Sequence, residues 1–127
     1  MLDSAKLIGF LFTTDYERAR EFYEKKLQFR FVSQDQYALV LRAGPSMIRI
    51  SKVPKFQAAQ GTVLGWEVPD VKAAVLWLRE RGIETEKYAF VEDRELGIWN
   101  PPGGDQVAWF KDPDSNVLGI SSHAERR

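Results

Sequence analysis

The residues able to do chemistry are few, and their types narrow the possibilities. The chain of 127 residues contains no cysteine, which excludes disulfides, thiolate metal sites and cysteine nucleophiles. Its single histidine, His123, lies near the C-terminus among Ser121, Ser122 and Glu125, where a solvated tail is expected rather than a catalytic imidazole. Acid–base work would then fall to carboxylates and anion binding to arginines. Asp112-x-Asp114-x-Asn116 has the opening spacing of a calcium loop. An EF-hand needs glycine at its sixth position and glutamate at its twelfth, whereas this chain has Val117 and His123 there. The stretch therefore reads as a turn whose short polar side chains bond their own backbone before a last strand.

The whole-chain balance says little about partners. Eighteen basic and eighteen acidic residues cancel, so no global field steers the protein toward nucleic acid or an anionic membrane. A charged partner would have to be recognised locally. No run approaches the ~20 apolar residues of a membrane span. The start, Met1-Leu2-Asp3-Ser4, lacks a basic-then-apolar leader, so a cytoplasmic location is expected. The length suits one domain, 1–127, with its own core.

The elements that must position any site come in two similar sets. Leu7 to Phe12 is a strand-like run stopped by Thr13-Thr14-Asp15, where a hydroxyl or carboxylate can cap a helix. Ala19, Phe22, Tyr23 and Leu27 then recur at helical spacing, with Glu17, Arg18, Arg20, Glu21, Glu24 and Lys25 facing outward. Strands are expected over 29–33, 36–43 and 47–53, completing a βαβββ module over about 5–53. Residues 54–61 form a polar connection. The pattern restarts with a strand at Val63 to Val68, a helix opened by Pro69-Asp70, and strands over 83–90, 106–111 and 117–121, giving a second module over about 62–122. Asp15 matches Asp70, Ala19 matches Ala74 and Phe22 matches Trp77 at one constant spacing, the mark of a duplication.

Duplicated modules containing Arg20-Glu21-Phe22-Tyr23 with Leu27, and closed by Ala108-Trp109-Phe110-Lys111-Asp112-Pro113-Asp114-Ser115-Asn116, resemble the vicinal oxygen chelate superfamily. That group includes glyoxalases, extradiol dioxygenases and bleomycin-binding resistance proteins, and the likeness runs from Leu7 to Ser121. It implies an α+β fold in which two tandem βαβββ modules form a curled mixed sheet around a cleft, with helices on the outer face. It also implies metal-ligand places on the strands, and by motif these fall on Ile8, Arg49, Val63 and Gly119. Aliphatic side chains and glycine offer no lone pair, and a guanidinium repels a cation. The expectation is no metal and no cofactor.

Strand alternation outward from those places predicts which residues line the cleft. The predicted ligand-binding set is Phe10, Phe12, Met47, Arg49, Ser51, Glu67, Trp99, Val107, Trp109 and Ser121. Leu7, Leu11, Ile48, Ile50, Leu64, Leu118 and Ile120 would form the core under the helices. Trp109 would stack on a planar or apolar ligand or fill core, and Trp99 would cover the cleft or a subunit contact. Arg49 and Glu67 would either pair with each other or divide the work, Arg49 holding an anion and Glu67, shielded from water, moving a proton. The resulting expectation is metal-independent binding of a small, partly apolar or aromatic organic molecule, as in the bleomycin-resistance proteins. The alternative is a lyase, isomerase or dioxygenase of the superfamily that uses Glu67 and Arg49 or a metal held elsewhere. A homodimer is expected in either case.

Overall fold

The computed structural model describes residues 1–124. The chain divides into two compact units, Met1–Gln57 and the part from Ala58 on. The division falls inside the polar connection at 54–61.

In the first unit, β1 (Ile8–Thr13) runs into a helix, α1 (Tyr16–Arg20), that continues as a wider π-helical turn over Glu21–Lys26. Asp15 caps it, its Oδ1 accepting from the Arg18 backbone N–H at 3.2 Å. A cap of this kind contributes about 1 kcal/mol. The strands β2 (Arg30–Gln34), β3 (Leu39–Ala43) and β4 (Ser46–Lys52) complete a four-stranded sheet of order β1-β4-β3-β2, in which β1 lies parallel to β4 and the other pairs are antiparallel. Leu11, Leu39, Leu41, Ile48 and Ile50 are buried together with Ala19, Phe22, Tyr23 and Leu27 of the helical segment. Leu7, expected in this core, is exposed. It precedes the first paired residue, Ile8, and so has no neighbouring strand to pack beside.

In the second unit, β5 (Thr62–Glu67) leads to α2 (Val71–Glu80), capped by Asp70 through the Ala73 N–H at 3.1 Å. β6 (Gln106–Lys111) and β7 (Val117–Ser122) then give a three-stranded sheet of order β5-β7-β6. The helix packs on β6 and β7, where Val71, Val75 and Leu78 share a core with Ala108, Phe110, Leu118 and Ile120.

The strand expected over 83–90 does not form. A ladder bond remains from the Glu86 N–H to the Trp109 carbonyl at 2.7 Å. Side chains take carbonyls that a neighbouring strand would use: Arg94 donates to those of Lys87, Tyr88 and Val91, and Lys87 donates to that of Thr85. The backbone is thereby satisfied in an irregular path. Among the described residues, no helix is long and apolar enough to cross a membrane.

Candidate functional site

The two faces of each sheet differ as alternation requires. In the first unit, Ile8 pairs with Met47, Phe10 with Arg49 and Phe12 with Ser51, so these six side chains share the face opposite the core. Ile8, Phe10 and Phe12 are 43%, 69% and 48% exposed. Phe12 leans on Phe56 with ring centroids 5.8 Å apart. The Arg49 guanidinium is close enough to help hold the Asp35 carboxyl below its ordinary range, the larger causes there being the backbone N–H groups of Tyr37 and Ala38.

In the second unit, the rows across the sheet run Glu67–Ser121–Val107 and Gly65–Gly119–Trp109. Trp99 extends the first row, exchanging both backbone hydrogen bonds with Val107 at 2.8 and 3.0 Å. The long loop therefore returns to the sheet and sets the Trp99 ring 6.0 Å from that of Trp109. Trp66 has the opposite parity and stacks on core Phe110. Arg49 thus stands on β4 of the first unit and Glu67 on β5 of the second. The shielding from water expected around Glu67 is absent, because its side chain is exposed.

Trp109 is held by an arrangement the sequence did not reveal. Its indole Nε1–H donates to the Thr62 hydroxyl at 3.0 Å. Trp109 lies on β6, Thr62 on β5, and β7 runs between them, so the ring must lie across β7. It does so over Gly119, where an added Cβ would meet Thr62 Cγ2 at 3.3 Å and Trp109 Cδ1 at 3.7 Å. A register shift between Thr62 and Leu64 puts Thr62 in reach of the ring; a bulge of this kind re-aims one side chain.

Two further rings complete a cluster. Tyr88 and Phe90 are stacked at 5.7 Å. Each meets Trp109 edge-on, at 5.4 and 5.7 Å, and Phe90 meets Trp99 edge-on at 5.6 Å. Four aromatic side chains so arranged reinforce one another's orientation. Burial pushes the Tyr88 phenol up, with Glu86 adding and Lys111 opposing. Beside the cluster is an open hollow of about 490 Å³ lined by Phe90, Glu92, Asp93, Ile98, Trp99 and Asn100. The Leu96 backbone N–H, helped by those of Ile98 and Glu95, holds the Asp93 carboxyl below its ordinary range. This edge of the hollow is therefore anionic at neutral pH.

His123 is solvent-exposed, as expected of a residue near the terminus, but both of its ring nitrogens are engaged. Its Nε2 lies 2.8 Å from the Ser121 hydroxyl and its Nδ1 3.1 Å from Asp105 Oδ2. Outside the predicted set, the contacts bring in Thr62, Tyr88 and Phe90 around Trp109, and His123, read from sequence as a tail residue, meets Asp105.

The ligand places implied by the resemblance do not suit a divalent ion. Ile8 and Val63 are aliphatic, Arg49 is cationic, and Gly119 is roofed by the Trp109 ring and the Thr62 methyl. Among the described residues, no three His, Cys, Asp or Glu side chains group where they could hold a metal ion.

Solved structures of similar fold include a member of the glyoxalase/bleomycin resistance protein/dioxygenase superfamily from Sphaerobacter thermophilus, with a TM-score of 0.74 and 19% identity over 97% of this chain and 100% of that one. A glyoxalase family protein from Enterococcus faecalis gives 0.69 and 24% over 95% and 99%. A lactoylglutathione lyase from Agrobacterium tumefaciens gives 0.69 and 18% over 94% and 93%. No curated protein matches the sequence. The family model of the glyoxalase/bleomycin resistance protein/dioxygenase superfamily matches residues 5–120, and with the duplicated β-α-strand units described above the chain belongs to that superfamily.

Proposed function

We propose that the protein binds a small planar organic molecule, neutral or cationic, against the ring cluster of Trp109, Trp99, Phe90 and Tyr88, without a metal. The observation that carries this reading is the clamped Trp109 ring with two further rings set edge-on to it beside an open hollow. A ring held by a hydrogen bond at one end and by aromatic neighbours along its sides loses little freedom when a ligand stacks on it. The Asp93 and Glu92 carboxylates at the hollow favour a cation and disfavour an anion of the same size. Local charge thus supplies what the neutral whole-chain balance does not. Aliphatic side chains at Ile8 and Val63, a guanidinium at Arg49 and a glycine at 119 in the superfamily's ligand places support binding over metal-dependent turnover.

Titration with the planar cationic dye proflavine, followed by tryptophan quenching, tests the proposal. Wild type is expected to bind it more tightly than the anionic dye 8-anilinonaphthalene-1-sulfonate, and Trp109→Ala to weaken it by about ten- to a hundredfold. Equal affinity in Trp109→Ala and wild type would overturn it.

Assembly as a homodimer is favoured by a separate observation, the exposed row of Ile8, Phe10 and Phe12 on the first sheet. A contiguous apolar patch of this kind marks an interaction surface. A second copy covering it would bury the Phe10 and Phe12 rings. In sedimentation velocity, wild type is expected as a dimer at micromolar concentration and Phe10→Glu as a folded monomer. A monomeric wild type would refute the dimer.

A further inference from the structure

The contacts of His123 reach beyond ligand binding. An imidazole with one nitrogen on a serine hydroxyl and the other on a carboxylate is the arrangement that activates serine for nucleophilic attack. Here Ser121 Oγ lies 2.8 Å from Nε2, and Asp105 Oδ2 lies 3.1 Å from Nδ1. With Asp105 accepting from Nδ1–H, the other nitrogen is left as the acceptor that can take the serine proton.

The surrounding structure fixes all three groups. Ser121 is on the central strand β7, its carbonyl held by the Val68 N–H at 2.8 Å. Asp105 immediately precedes β6, and pairing of Gln106 with Ser122 brings it beside His123. The second Asp105 oxygen accepts from the Ala124 N–H at 2.9 Å, so the carboxylate also ties down the segment that carries the imidazole. The Asp105 side chain is only 17% exposed, whereas that of His123 is 44% exposed. The orienting group is therefore sheltered while the base remains open to a substrate.

What lies beside Ser121 indicates the substrate. In its row are exposed Glu67 on one side and Val107, bridged to Trp99, on the other. An apolar or aromatic group fits the Val107 and Trp99 side, and the Glu67 carboxylate disfavours an anion.

We infer that Ser121, His123 and Asp105 form a nucleophile, base and positioning group that hydrolyse small neutral or cationic carboxylic esters bearing an aromatic group. Ser121 Oγ attacks the ester carbonyl carbon as its proton passes to His123 Nε2. The carbon–oxygen bond to the alcohol then breaks, and the alcohol leaves with that proton. Water next attacks the acylated serine, giving its proton to His123. The serine–acyl bond breaks, the proton returns to Ser121, and the carboxylic acid departs. No electrons are gained or lost, and solvent water is the only co-reactant. The choice of substrate rests on the aromatic-site reading; the relay itself does not.

The test uses the full chain with an alkyl fluorophosphonate, read by intact mass and peptide mapping, and with 4-nitrophenyl acetate as substrate. Wild type is expected to take one phosphonyl group on Ser121 and to release 4-nitrophenol. Ser121→Ala should take none, and His123→Gln should label at least about a hundredfold more slowly. Asp105→Asn should slow labelling at least about tenfold, with Asp105→Glu recovering part of the rate, as a positioning role requires. Ser122→Ala, whose hydroxyl lies outside the relay, should label like wild type. Circular dichroism confirms that each variant is folded. Absence of an adduct in wild type, or an unchanged rate in Ser121→Ala or His123→Gln, would overturn the relay. A proflavine titration of the same preparation separates the two readings: dye binding without an adduct sinks only the relay, and an adduct without dye binding sinks only the aromatic site.

Discussion

Replacing Asp112 by alanine is expected to destabilise the protein by about 3 to 4 kcal/mol, a large share of the stability of a small domain. The carboxylate is buried. Its Oδ1 accepts from the backbone N–H groups of Asp114 and Asn116, each at 2.9 Å, and its Oδ2 from the Asn116 side-chain amide at 2.8 Å. Asn116 is itself buried, so alanine would take away the acceptor of these three bonds in a place that water reaches poorly. An orphaned buried donor costs about 1–3 kcal/mol, and the donors here share one acceptor group, so the costs do not simply add. The same turn holds Ser115 at a φ of 66°, a left-handed conformation unusual for serine, and joins β6 to β7. Its loss would therefore propagate into the central strand of the second sheet. Asp112→Asn, which keeps an acceptor oxygen, should cost less than half as much. Urea denaturation of the three proteins measures this, and a loss below about 1 kcal/mol in Asp112→Ala would show that solvent replaces the carboxylate.

That turn was legible because the Asp112 carboxylate bonds groups only two and four residues on, in Asp114 and Asn116. The face assignments were legible for a similar reason. Alternation put Leu11, Ile48, Ile50, Leu118 and Ile120 on one side and Phe10, Arg49, Trp109 and Ser121 on the other, and the observed pairings keep those sets apart. Non-local arrangements were not legible. The apolar and aromatic content of 83–90 resembles a strand, but Arg94 and Lys87 occupy carbonyls that a strand would need, and nothing in the local pattern announces it. His123 looked like a tail residue because its partner Asp105 is distant in sequence and arrives only through pairing of β6 with β7. The Thr62 hydroxyl was missed because the register shift at β5 changes which side chain faces Trp109.

The reliance of the ring cluster on one missing side chain leads to the second large effect. Gly119→Val is expected to weaken proflavine binding by at least about thirtyfold, or roughly 2 kcal/mol, while leaving the fold in place. Trp109 reaches Thr62 only by crossing β7, and Gly119 lies beneath its path. A single methyl there falls 3.3 Å from the Thr62 methyl, a contact that a shift of a few tenths of an ångström relieves, so Gly119→Ala should bind dye within a few-fold of wild type. Valine adds two further methyl groups in the space the indole occupies, and overpacking of this kind typically forces a side chain out at a cost of about 1–3 kcal/mol. The group with the least to lose is Trp109, which is half-buried and can swing toward solvent. Its departure breaks the bond to Thr62 and removes the surface that Tyr88, Phe90 and Trp99 surround. Tryptophan emission should shift to the red in Gly119→Val alone, and Thr62→Val, which removes only the hydroxyl acceptor, should fall between the two glycine variants. If Gly119→Val bound the dye as tightly as wild type, the ring over β7 would not be the ligand's seat. If Thr62→Val matched its loss, the hydrogen bond rather than the open path over β7 would be what positions the ring.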